Sequence, residues 1–241
     1  MMHKTKGIVL HSIKYSETSM IVKIYTALFG LQSYLFKGIR TKTSKIRPGF
    51  FQPLTLLDME VYYKQKNNIQ SAKEVFIAYP YQQIPFDIRK SSIGLFINEL
   101  VYKSIREEES NPVLFSFLWQ TLLQLDTLEE NVGCFHLVFA MHLTRHLGIF
   151  PQENFSPENN IFDLKEGYFR EGIPGHSSFL DPGQSKCFHL LLTTPLALYS
   201  NIHFNPVIRS SLLETIISYY QFHLPGFKGL QSHHVLHSVL S

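Results

Sequence analysis

The chain has 241 residues, 44% hydrophobic and 17% charged, a globular composition long enough for one large domain or two modest ones. No apolar run approaches the roughly 20 residues of a membrane span, the opening MMHKTKGIVLHSIKY meets His3 and Lys4 too early for a signal peptide, and Cys134 and Cys187 are too few for a disulfide framework. The net charge of +3 conceals an asymmetry: residues 1–78 hold 12 Lys/Arg against 4 Asp/Glu, a net of +8, whereas residues 79–241 hold 10 against 15, a net of −5; the first part is therefore expected to face a polyanion.

The first 78 residues have strand character. In SMIVKIYT, Met20, Val22 and Ile24 alternate with Ile21, Lys23 and Tyr25, and in LLDMEVYY, Leu57, Met59, Val61 and Tyr63 alternate with Asp58, Glu60 and Tyr62. This period of two predicts half-buried antiparallel strands. GIVLHSIKY, LQSYLFK and NIQSAKEVF complete a set of about five, which predicts a small barrel or sandwich. From about Pro80 the period becomes helical. Ile93, Ile97, Leu100 and Ser104 form one stripe, and two segments open with Asn-Pro, at Asn111 and at Asn205. Asn at the N-cap and Pro at the first helical position remove donors that a helix start leaves unpaired. GCFHLVFAMHLTRHLG is a further helix, stopped by Gly148 and Pro151; between Pro151 and Ser185, NIFDLKEGYFREG predicts a short hairpin turning at Lys165–Gly167.

Twelve histidines invite a metal reading. His142 and His146 share a helical face, but Leu143 stands where an HExxH site needs Glu. Cys134 with His136 and Cys187 with His189 are spaced two apart, so on a helix they point some 200° apart and chelate poorly. The closing HHVLH is expected to be a solvated end. No nucleophile elbow, phosphate loop or dinucleotide fingerprint is present, so neither an active site nor a cofactor is expected.

The run KGIRTKTSKIRPGF holds Lys37, Arg40, Lys42, Lys45 and Arg47 without one acid. Basic side chains that neutralise phosphates release counterions, and the interspersed Thr41, Thr43 and Ser44 can donate to phosphate oxygens. Lys23 joins these as a DNA-contact candidate, and Tyr34, with Tyr15, Tyr25 and Phe36, as a base-stacking candidate. The run is expected to join adjacent strands and close over a bound strand.

Gly7 to Leu10, Tyr15, Glu17, Ser19, Ile21, Val22, Thr26, Gly30, Lys37 and Gly38 carry a G-I-V-L … Y-x-E-x-S-x-I-V … T-x-x-x-G … K-G pattern that resembles the opening of the RecO recombination and repair mediators. FFQPLTLLDMEVYY resembles that family's next strand, and RSSLLETIISYYQFHLPGFKGLQSHHVL its closing helix, so the resemblance spans nearly the whole chain. It implies an α+β protein: a five-stranded OB-fold β-barrel over 1–79, then a helical domain over 80–241. Many members carry a four-cysteine zinc module after the motif that here reads LGIFPQ. This chain has no cysteine between Pro151 and Lys186, so an irregular, non-zinc hairpin insertion is expected over 152–185.

The resemblance further implies a bacterial cytoplasmic, nucleoid-associated mediator rather than an enzyme, with no small-molecule substrate, metal or membrane. It would bind single- and double-stranded DNA, anneal complementary strands, work with RecR, and engage the C-terminal tail of single-stranded DNA-binding protein to help load RecA. Lys103, Arg106 and Arg145 are the candidate cations for that acidic tail. An OB-fold RNA-binding factor and a metal-dependent hydrolase using His142 and His146 remain the rival readings.

Overall fold

The computed structural model describes residues 1–39, 46–105, 109–129 and 132–240. Arg40, Lys42, Lys45 and Arg106 thus lie outside the described residues. Contacts divide the chain into two compact units, Met1–Asp87 with Val101–Thr127, and Ile88–Leu100 with Leu128–Ser241.

Among the described residues of the first unit, β1 (Met2–Lys14), β2 (Met20–Thr26), β3 (Gly30–Phe36), β4 (Leu56–Tyr62) and β5 (Gln70–Tyr79) close a barrel in the order β1-β2-β3-β5-β4. β3 and β5 run parallel and the other neighbours antiparallel. This is the OB-fold plan expected from the sequence. β1 is long because it serves two neighbours: Met2–Ile8 pair with β4 and Gly7–Lys14 with β2, with a register shift between Val9 and His11. Gly7 sits where both ladders overlap. A Cβ there would come within 2.6 Å of Ile24 Cγ2 and 3.0 Å of Met59 Sδ, so the close approach requires glycine.

The inward set is the alternating one. Val9, Val22, Ile24, Tyr34, Phe36, Leu57, Met59 and Val61 form a buried cluster with Val75. A 3₁₀ turn at Pro48–Phe51 brings Phe51 against Phe36, ring centroids 4.3 Å apart. Each such side chain contributes on the order of 1.5–3 kcal/mol on burial. In the same unit, Asn111 caps α2 (Pro112–Thr127) through the Leu114 N–H, 3.0 Å from Asn111 Oδ1. α2 covers part of the barrel, with Phe115 against Tyr25 and Trp119 beneath Lys6. The Asp126 carboxylate accepts from Gln82, Gln83 and Ile84 N–H at 2.8–2.9 Å and from the Tyr79 hydroxyl, holding the chain after β5 to α2.

The second unit contains residues Ile88–Leu100 of α1 (Ile88–Ser104), then α3 (Phe135–His146), α4 (Pro182–Thr193), α5 (Pro206–His223) and α6 (Ser232–Leu240). α3 is apolar around most of its circumference and is buried from Phe135 to Met141, which makes it the central helix of this unit. Asn205 caps α5 through the Ile208 N–H. The hairpin appears where expected: β6 (Ile161–Asp163) pairs with β7 (Tyr168–Arg170), and β8 (Phe179–Leu180) adds a third strand on the other side of β6. The buried Asp163 carboxylate accepts from Lys165 and Glu166 N–H and faces Arg170 and His176 at 3.5 and 3.3 Å. The Asn154 amide pairs with both backbone groups of Phe169.

HHVLH is largely solvated, with His234, Val235 and His237 exposed, but it is helical: it lies in α6, where Leu236 is buried and Glu99 accepts from the backbone N–H groups of Gln231 and Ser232. A carboxylate from a remote helix caps this start, so no local capping signal announces it.

Candidate nucleic-acid interface

The barrel closes weakly along one seam. β3 and β5 pair only at Tyr34–Gln70 and Leu35–Ser71, which sets the β4–β5 turn beside the end of β3. The Gln70 side chain then fixes that turn, accepting from Lys64 N–H at 3.0 Å and donating to the carbonyls of Lys64 and Asn67. Between turn and strand lies a groove of about 620 Å³ whose lining includes Leu35, Tyr62 and Ile69 as apolar surface and Lys37, Lys64 and Lys73 as cations. Lys66 is exposed on the same turn.

The charges here differ in availability. Lys37 and Arg47 are exposed and have no acidic partner among the described residues. Lys73 is committed to Glu60 at 3.1 Å, and Lys4 approaches the same carboxylate at 3.5 Å. The hydrogen bond from Lys73 holds the Glu60 carboxyl below its usual range. The groove thus offers Lys37 and Lys64 as its open cations, with Arg47 nearby in sequence at the start of the 3₁₀ turn.

The structure corrects three sequence expectations about this surface. First, the basic run lies between β3 and β4 in sequence, and these are not adjacent strands, because β5 lies between them in the barrel. Second, Tyr34 is 0% exposed and belongs to the barrel core, where burial pushes its phenol pKa up, so its ring has no face for a base. Third, Tyr25 and Phe36 are buried as well, and of the four rings only Tyr15, 62% exposed, is on the surface. Closure turns one side of each strand inward, and the side holding Tyr34 and Phe36 is the inner one.

Lys23 points outward from β2, with its ammonium 5.6 Å from the centroid of Tyr102 in the last turn of α1. Lys103, next to that ring, is half-buried and belongs to the first unit, whereas Arg145 on α3 belongs to the second. Arg145 pairs with Glu153 and lies 3.5 Å over the Phe150 ring. His142 Nε2 is 2.8 Å from the Thr194 carbonyl, and burial lowers the pKa of both His142 and His146. Among the described residues no three His, Cys, Asp or Glu side chains come together as a metal site, and no helix is long and apolar enough to cross a membrane. Lys64 and Lys66 escaped the sequence reading. Their signal was KQKNN, a polar turn with two lysines, which gains meaning only when Gln70 pairs with Tyr34.

Comparison with known proteins covers both parts of the chain. Residues 1–81 match the family model described as Recombination protein O N terminal, and residues 85–231 match Recombination protein O C terminal. A protein of Phocaeicola vulgatus named DNA repair protein RecO is 35% identical over 241 residues, covering 100% of both chains. Proteins of the same name from Bacteroides fragilis and Flavobacterium psychrophilum are 38% and 37% identical over 240 residues, covering 98% and 99% of each chain.

Proposed function

The chain belongs to the RecO family of DNA repair proteins, and from that membership we propose that it is a recombination mediator that binds single- and double-stranded DNA and anneals complementary strands. With RecR it helps load RecA onto single strands covered by their binding protein, acting in the bacterial cytoplasm at the nucleoid. The observation that carries the DNA reading is the groove along the β3–β5 seam, with Lys37 and Lys64 open to solvent on a segment of net charge +8. Two strands repel through their phosphates. A strand seated on this basic surface has part of its charge neutralised, which lowers the barrier for the second strand without any bond being made or broken. Arg40, Lys42 and Lys45 belong to the same basic run and add to that field by their charge.

For the acidic tail of the single-stranded DNA-binding protein the proposed cation in the second unit is Arg145; Lys103 belongs to the first unit and is a separate candidate, and Arg106 lies outside the described residues. Arg145 already holds Glu153, so a tail carboxylate at this position would take the place of Glu153.

A salt titration tests the DNA reading. Affinity for an oligothymidylate is measured from 50 to 300 mM salt for wild type, Lys37→Ala/Lys64→Ala and Arg40→Ala/Lys42→Ala. Each lost phosphate contact reduces the single-strand log–log slope by about 0.7, so each double variant should bind more weakly with a shallower slope. Unchanged affinity and slope in both variants would sink the proposal.

A further inference from the structure

The outer face of β1, β2 and β3 is only half covered, and the boundary is marked by two stacked rings. Register places three rows of outward side chains across these strands. Ile8, Tyr25 and Leu31 form the first row, His11, Lys23 and Ser33 the second, and Ile13, Ile21 and Leu35 the third. The first row lies at the side where α2 packs: Ile8 and Tyr25 are each 1% exposed, and Phe115 lies against Tyr25. The third row is open, with Ile13 48% exposed and Leu35 also lining the basic groove. In the middle row the His11 ring stacks on Tyr102 at 5.1 Å and 22°, and Lys23 sits beside the same Tyr102 ring. All of these residues belong to the first unit.

We propose that the His11–Tyr102 pair is a nucleobase-stacking platform that ends the path of a single DNA strand leaving the groove at Lys37. The inference rests on the DNA-binding reading and adds to it a place where bases, rather than phosphates, are held. Leu35 belongs to both surfaces, so a strand whose phosphates follow Lys37 and Lys64 meets the apolar third row next. His11 is exposed while stacked on Tyr102, and every base has a π-face to lay on such a pair. Lys23 polarises the pair and supplies a cation for the adjoining phosphate. The covered first row then stops the strand. Tyr102 comes from a helix, not from the barrel, so no strand pattern marks it.

The test compares two probes on the full chain, an oligothymidylate and a phosphodiester chain of equal length and charge whose sugars lack bases. Stacking one base is worth about fivefold or more in affinity. Wild type should therefore prefer the base-bearing chain by at least about that factor, and His11→Ala and Tyr102→Ala should reduce the preference while leaving the salt slope intact. Tyr102→Phe, which keeps the ring, should restore it. Lys37→Ala/Lys64→Ala should do the opposite, lowering the slope and keeping the preference. Because Tyr102→Ala could loosen the helix, photo-crosslinking of wild type with an iodouracil oligomer gives a second readout, with adducts expected on His11 or Tyr102. An unchanged preference in a folded His11→Ala protein, or adducts only elsewhere, would overturn the platform while leaving the groove standing. No binding of either probe by wild type would overturn both readings.

Discussion

The two β structures of this chain hold together by different means. The barrel strands are seven to thirteen residues long and enclose a continuous apolar cluster from Val9 to Val75. The β6–β7–β8 sheet has strands of three, three and two residues, too short to enclose anything. Polar groups on neighbouring segments supply what length does not. Asp163 ties the β6–β7 turn and faces Arg170 and His176, Asn154 imitates a strand against Phe169, and Ser185 accepts from the Phe162 N–H at 2.9 Å while donating to Leu180. A small sheet can thus be fixed by directed hydrogen bonds when burial is insufficient.

The largest effect should come from the barrel. Leu57→Ala removes a fully buried side chain from the cluster and should cost about 3–5 kcal/mol in a urea melt of the full chain. A loss below about 1 kcal/mol would mean that the barrel does not depend on its buried cluster. Asp163→Asn keeps the shape of the side chain and removes its charge, and should cost about 2 kcal/mol. Its signature is local: hydrogen exchange should speed up at the Lys165 and Glu166 amides before it does in β2 or β4. Uniform acceleration across the chain would erase the distinction between the two sheets.

The smallest and most diagnostic effect is acid dependence in the first unit. Burial pushes the Asp126 carboxyl up, but the N–H groups of Gln82, Ile84 and Gln83 and the Tyr79 hydroxyl hold it below its ordinary value. A carboxyl whose folded pKa is depressed stabilises the fold above its unfolded pKa, about 3.9, and that contribution is lost as pH falls through the folded value. Wild type should therefore lose stability below about pH 4 more steeply than Asp126→Asn, which is less stable at neutral pH. Parallel pH profiles for the two proteins would show that the clamp does not act through its charge.

Much of this was legible in residues. Val22 and Ile24, or Leu57, Met59 and Val61, repeat at two because a strand presents alternate side chains to one face, and these are the side chains found inside. Asn111-Pro112 and Asn205-Pro206 mark helix starts because capping is local chemistry, and both Asn side chains make the expected bond. The start of α4 is harder to read although Asp181 and Gln184 form a reciprocal capping box, since DPGQ sits in a Gly/Pro/Ser-rich stretch that predicts irregular chain. Tyr34 faces inward against expectation for a different reason. Both alternating sets in β3 contain rings or aliphatics, and composition does not say which set faces in.

Sequence by itself determined the strands, the principal helices, the asymmetry of charge and the family, because period, capping and charge are properties of neighbouring residues. Tertiary structure alone decided which face of each strand is the inside, that β5 separates β3 from β4, and that Lys64 joins Lys37 while Tyr102 joins His11. Those relations connect residues that lie far apart along the chain, and they exist only once the barrel has closed and α1 and α2 have contributed their side chains to its outer face.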